Sequence, residues 1–334
     1  MPARKSGKRL AALAAVLTAG VGLGVTQPAG AATRAPARPP AVTQTIPVGS
    51  SPSGVAVSPV TGRIYVTNYD DGTVSVINGR TGTVTSTIGV GSEPDAVAVS
   101  PQTGRIYVTN YDDGTVSVIN GRTDTVTSTI PVVESPDAVA VSPQTGRIYV
   151  TSYDGGTVSV INGRTGAVTS TIGVGVDAEA VAVSPQTGNI YVADGPEGTV
   201  SVINGRTDTV TSTISVGAPE AVAVSPQTGK IYTADGPLDT VSVINGRTGT
   251  VTSTIGVGDN PDAVAVSPQT GNIYVTNLNI AGGFASTVSV INGRTGAVTS
   301  TISVGMAAAG VAVSPRTGKI YVTNFQADTV SVIG

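Results

Sequence analysis

Short apolar runs alternate with turn residues along almost the whole chain. From Asp95 one stretch reads DAVAVS, PQTG, RIYVTN, YDDG, TVSVIN, GRTD and TVTSTIPV. Within the runs the pattern has a period of two, and Val, Ile, Thr and Tyr dominate, which predicts β-strands. Pro, Gly, Asn and Asp gather at the joints, where the backbone must turn tightly. Each unit therefore holds four strands separated by three turns.

The unit repeats. Ser-Pro-x-Thr-Gly occurs seven times, opening at Ser58, Ser100, Ser142, Ser184, Ser225, Ser267 and Ser314. The spacings are 42, 42, 42, 41, 42 and 47 residues. Four strands in a repeat of about 40–50 residues is the pattern of a propeller blade. The expected fold is all-β: a seven-bladed β-propeller with four-stranded antiparallel blades. Apolar residues fill the strands because each blade has neighbours on both faces. The phase of the chain predicts how the ring closes. VTQTIPV (42–48) matches a fourth strand, whereas the chain ends on a third strand, TVSVI (329–333). The N-terminal strand is thus expected to complete the last blade, which removes an open edge.

The second strand of four repeats spells Tyr-Val-Thr-Asn, at 65–68, 107–110, 274–277 and 321–324. Variants stand at 149–152 (YVTS), 191–194 (YVAD) and 232–235 (YTAD). Over residues 42–334 the chain resembles the YVTN-repeat β-propeller family of secreted and surface bacterial and archaeal proteins. The resemblance implies the propeller fold and an extracytoplasmic location more than any one activity.

The N-terminus supports that location. Arg4, Lys5, Lys8 and Arg9 precede an uncharged apolar stretch from Leu10 to Val25, and small residues at 29–32 offer cleavage after Ala31 or Ala32. This is the pattern of a secretory signal peptide. The expected organisation is a signal peptide (1–32), a Pro-rich linker (33–41) and the propeller (42–334). No later segment is expected to enter a membrane, and the mature protein is expected to be secreted, with retention at the cell surface open. With no Cys, the domain has no disulfides to lean on.

Charge is sorted between the two ends of the ring. Turns 2–3 and 4–1 lie on one face, here the top, and turns 1–2 and 3–4 on the bottom. Nineteen of the 21 acids map to the top, and only Asp124 and Asp208 to the bottom. The twelve Arg and Lys of the propeller all map to the bottom. Once Arg4, Lys5, Lys8 and Arg9 are removed, 14 basic against 21 acidic residues leave a net charge of −7. Nucleic acid is therefore a poor partner for the top, because phosphate contacts need Lys and Arg. The basic bottom stands as an alternative surface for nucleic acid or an anionic glycan.

One constellation is sharper. The residue that opens the innermost strand is Asp95, Asp137, Glu179, Glu220 and Asp262 in blades 2–6, but Ser53 in blade 1 and Ala309 in blade 7. Five carboxylates are expected around one channel mouth, as a ligand or cation site for which Ca²⁺ is the natural candidate metal. The acid-free sector gathers apolar residues. The one insertion, 278–286, brings Leu278, Ile280 and Phe284, with Met306, Phe325 and Tyr69 nearby. Departures from a repeat map to its binding face, so this sector is expected to contact a ligand or protein.

With no His and no Cys, His-based triads, Cys nucleophiles and His-ligated metal centres are excluded. That also excludes resemblance in mechanism to the seven-bladed streptogramin lyases. A carboxylate-only hydrolase or lyase is the alternative from another class. The reading is a monomeric, non-catalytic binding or surface-interaction propeller with no cofactor beyond a cation at the mouth and an extracellular ligand or protein as partner.

Overall fold

The computed structural model describes residues 39–278 and 286–334, so the segment expected to be a signal peptide, most of the expected linker, Ile280 and Phe284 lie outside the described residues. The described residues form seven four-stranded antiparallel sheets. Blade 1 is β2 (Pro52–Val57), β3 (Arg63–Asn68), β4 (Thr73–Asn78) and β5 (Thr83–Gly89), hydrogen-bonded in chain order. The innermost strands of blades 2–7 are β6 (Pro94–Val99), β10 (Pro136–Val141), β14 (Ala178–Val183), β18 (Pro219–Val224), β22 (Pro261–Val266) and β26 (Ala308–Val313). Each packs against the next, and β26 packs against β2, which closes the ring.

Closure uses both chain ends. β1 (Val42–Pro47) pairs antiparallel with β28 (Thr329–Ile333), with Ile46 opposite Val330. Ile46 is 2% exposed and packs in the cluster between blades 7 and 1. The fold expected from the repeats, including its seam, is the fold observed.

The Tyr-Val-Thr-Asn run shows why the repeat has this composition. Tyr65 fills the space between blades 1 and 2 and its hydroxyl reaches the Gly121 carbonyl of the next blade at 3.5 Å. Val66 is fully buried on the opposite face, against blade 7. Thr67 donates to the Asp95 carbonyl at 2.6 Å, tying blade 1 to the inner strand of blade 2. Asn68 stays within its own corner: Nδ2 donates to Thr73 and Ser75, and Oδ1 accepts the Gly49 amide. One four-residue run therefore supplies core packing, an inter-blade link and a turn brace. The turns follow the same economy. In Ser-Pro-x-Thr-Gly, Ser58 Oγ accepts the Thr61 amide and the Ser58 carbonyl accepts the Gly62 amide, with Gly62 at φ 72°. That left-handed conformation is the reason a glycine ends the motif.

Burial corrects two placements of charge. Asp194 and Asp235, read from sequence as top-face acids, occupy the Asn68 position of blades 4 and 5 and are fully buried. They end the second strand, at the edge of turn 2–3, and point into the packed corner rather than to solvent. Asp194 accepts from Ser201 at 2.7 Å and Thr199 at 3.2 Å, and Asp235 from Ser242 at 2.6 Å and Thr233 at 2.8 Å.

Candidate functional site

The mouth is built by a repeated irregularity. Every innermost strand breaks register with its neighbour just after its first residue: between Pro94 and Val97, Pro136 and Val139, Ala178 and Ala180, Pro219 and Ala221, and Pro261 and Ala263. Blades 1 and 7 do the same at Pro52/Val55 and Ala308/Val311. A bulge turns a side chain away from the alternating pleat. The first residue within each break is Ser53, Asp95, Asp137, Glu179, Glu220, Asp262 or Ala309, and all seven line one cavity of about 240 Å³.

The second ring of lining comes from the first residue of turn 2–3. In blades 1–3 it is Tyr69, Tyr111 and Tyr153; in blades 6 and 7 it is Leu278 and Phe325. In blades 4 and 5 it is Gly195 and Gly236, and a side chain added to either would meet the carboxyl group of Glu179 or Glu220 within 2.9 Å. The longer acids thus occupy the room that rings fill elsewhere. Tyr69 and Phe325 pack against each other across the seam, tilted at 55° with centroids 6.2 Å apart. Tyr69 donates to Glu93, and Tyr111 to Asp154 at 3.5 Å, so each ring is tethered at its outer end.

The acids of the mouth differ in setting. Asp95 and Asp137 are 2% and 5% exposed, and Asp95 accepts the Ser53 hydroxyl, which links the acid-free blade 1 to the arc. Glu179, Glu220 and Asp262 are half-buried. Among the described residues no three acidic side chains converge closely enough to hold one metal ion.

The structure therefore brings the five acids together with Leu278, Phe325 and Tyr69. Met306 lies outside the cavity, 41% exposed on the rim. Tyr111, Tyr153 and Gln326 add the other large side chains of the lining. The tyrosines were visible as equivalents of Tyr69 in the repeat alignment; the paired exchange of Tyr for Gly and Asp for Glu is visible there only once the two positions are known to touch.

The bottom face is organised differently. Its two acids are paired: Arg63 with Asp124 at 2.8 Å and Arg147 with Asp208 at 2.7 Å. Arg63, Arg105 and Arg147 each also donate to a glycine carbonyl of the next blade.

Known proteins agree with this architecture. The family model for YNCE-like beta-propellers matches residues 12–155. The chain is a seven-bladed β-propeller that is similar to that family over those residues. A curated relative of this propeller, the PE-PGRS family protein PE_PGRS18 of Mycobacterium tuberculosis, is 71% identical over 34 residues. That match spans 10% of the chain and 7% of the relative. Among solved structures, hydrazine synthase of Kuenenia stuttgartiensis superposes with a TM-score of 0.74 at 19% identity, covering 84% of this chain and 95% of that chain. At that identity the likeness is one of fold alone.

Proposed function

We propose that this is a secreted, non-catalytic binding propeller whose ligand or protein partner engages the top face at the channel mouth. The observation that carries the reading is the cavity itself. Seven strand bulges aim seven side chains at one opening, and five of them are carboxylates set beside an aromatic sector. A concave site with an apolar lining and a few convergent polar groups is the usual form of a ligand site. The alternatives have less support. The bottom arginines named above are engaged in holding blades together. Hydrolysis by carboxylates needs one pair of acids at a fixed spacing, whereas the mouth spreads single acids over five blades.

The test is a thermal-shift panel on the mature protein with Ca²⁺, sugars, amines, short peptides and soluble cell-wall fragments. At least one additive should raise the transition temperature in a saturable way, and Phe325→Ala should abolish that shift. A panel in which nothing moves the transition, or a shift that survives Phe325→Ala unchanged, contradicts the reading.

A further inference from the structure

The mouth has two unlike poles that face each other across the channel. In a ring of seven, blade 4 lies opposite the seam between blades 7 and 1, with blade 5 beside it. At the seam the inner positions hold Ser53 and Ala309 in place of acids, and Tyr69 and Phe325 supply a pair of packed rings. Opposite, Gly195 and Gly236 stand in place of rings, and Glu179 and Glu220 lie over them. One wall is apolar and the other anionic, within a single cavity of about 240 Å³.

Each pole constrains the occupant. The rings at the seam favour an apolar body and discard water around it. An uncharged apolar molecule filling the cavity would strip water from the carboxylates without replacing it, which is costly. A positive charge removes that cost and offsets the repulsion between neighbouring acids. A bare divalent ion fits poorly, because Ca²⁺ takes ~6–8 oxygens in one shell and the acids of the described residues do not converge in that way. An ammonium group needs only acceptors for its few N–H donors and also favours ring faces. The volume lies just under the span of ~300–1,000 Å³ typical of drug-sized ligands, which suits one small molecule.

Resting on the reading of the mouth as a ligand site, we infer that its ligand is a small organic ammonium ion with an apolar body, lying across the channel. Its nitrogen faces Glu179 and Glu220, and its apolar end meets Phe325 and Tyr69.

The experiment is calorimetric titration of the mature protein with 2-phenylethylammonium, its uncharged counterpart 2-phenylethanol, ethylammonium and CaCl₂. The arylalkyl ammonium should bind saturably, about tenfold or more tighter than either the alcohol or ethylammonium. Glu220→Gln and Glu179→Gln, each checked for an unchanged circular dichroism spectrum, should weaken the ammonium about tenfold and leave the alcohol unchanged. Equal binding of ammonium and alcohol overturns the charge assignment, and so does competition by millimolar Ca²⁺ for the same site. Absence of ammonium binding also overturns it. In that case a different additive whose thermal shift is lost in Phe325→Ala leaves the mouth as the ligand site and removes only the ligand class, whereas no such additive removes both.

Discussion

At the bottom end of the channel, Gln144, Gln186, Gln227 and Gln269 each donate to the proline carbonyl of the next blade, at 2.6, 2.9, 2.8 and 2.7 Å. Gln102 does the same to Pro143, and Arg316 carries the series from blade 7 to blade 1 by donating to Val60 at 2.9 Å, where Val60 itself stands in place of a Gln. At the top end the same inner strands carry Ser53, three aspartates, two glutamates and Ala309. The two ends are made by the same seven strands. One end repeats a single inter-blade bond, and the other varies both its charge and its ring content from blade to blade. Repetition at the bottom serves cohesion; variation at the top produces a cavity with unlike walls. The comparison implies that the two ends separate in experiment: changes at the bottom alter stability alone, and changes at the top alter binding first.

The seam, shared by both ends, sets the scale of the stability effects. Deleting residues 42–48 removes the β1–β28 pairing and exposes the space that Ile46 fills. Full burial of an Ile is worth about 1.5–3 kcal/mol, and the lost pairing adds to it, so the melting temperature should fall by about 5–10 °C. An unchanged melting temperature would contradict closure by the N-terminal strand.

Next in size is the exchange of ring for acid at the top. Gly195→Tyr places a ring where Glu179 lies, and should destabilise by about 1–3 kcal/mol. Glu179→Asp in the same chain recreates the pairing of Tyr153 with Asp137 and should recover most of that loss. Denaturant titrations of the two singles and the double measure the coupling; additive effects would show that the two positions do not trade space.

The buried acids give a smaller, pH-dependent effect. Burial raises the Asp194 and Asp235 carboxyls above their ordinary value of about 3.8, against hydrogen bonds from Ser201 and Ser242 that lower them. The folded protein therefore holds these protons more tightly than the unfolded chain. The resulting loss of stability is absent below the ordinary carboxylate value and develops as the pH rises through the raised one. In blades 1, 2, 6 and 7 an asparagine accepts a glycine amide at this position. Asp194 Oδ1 is a buried acceptor with no hydrogen bond closed to it. Asp194→Asn should stabilise by on the order of 1 kcal/mol at pH 7, with the gain shrinking toward zero below about pH 4. Melting curves across that range check it, and a gain independent of pH would contradict the assignment.

The smallest effect belongs to the bottom series. Gln186→Ala removes one partly exposed hydrogen bond to Pro226 and should cost about 0.5–1.5 kcal/mol, with ligand binding at the mouth unchanged. A change in binding from this substitution would break the separation between the two ends.

The strands, turns and seam were legible because local chemistry and fold agree in every repeat. Period-two runs end in glycines such as Gly62 and Gly72, whose φ values of 72° and 63° are those the turns require. The gathering of the five acids followed from their common place in the repeat. Their aim did not, because the bulge that turns Asp95 and Glu179 inward leaves no mark in a pattern of apolar and polar residues. Asp194 and Asp235 were misplaced for a related reason. An acid at the edge of a turn reads as surface charge, and only the packed corner shows that it has replaced a buried asparagine. Ile280 and Phe284 lie outside the described residues, so the apolar pole is carried by Leu278, Phe325 and Tyr69.

The central claim concerns orientation within the mouth, and a crystal structure of the mature protein with 2-phenylethylammonium tests it most directly. The account predicts the ligand in the cavity with its nitrogen about 2.7–3.2 Å from a carboxylate oxygen of Glu179 or Glu220 and its ring against Phe325. A ligand found with its ring over blades 4 and 5, or bound away from the mouth altogether, would contradict it.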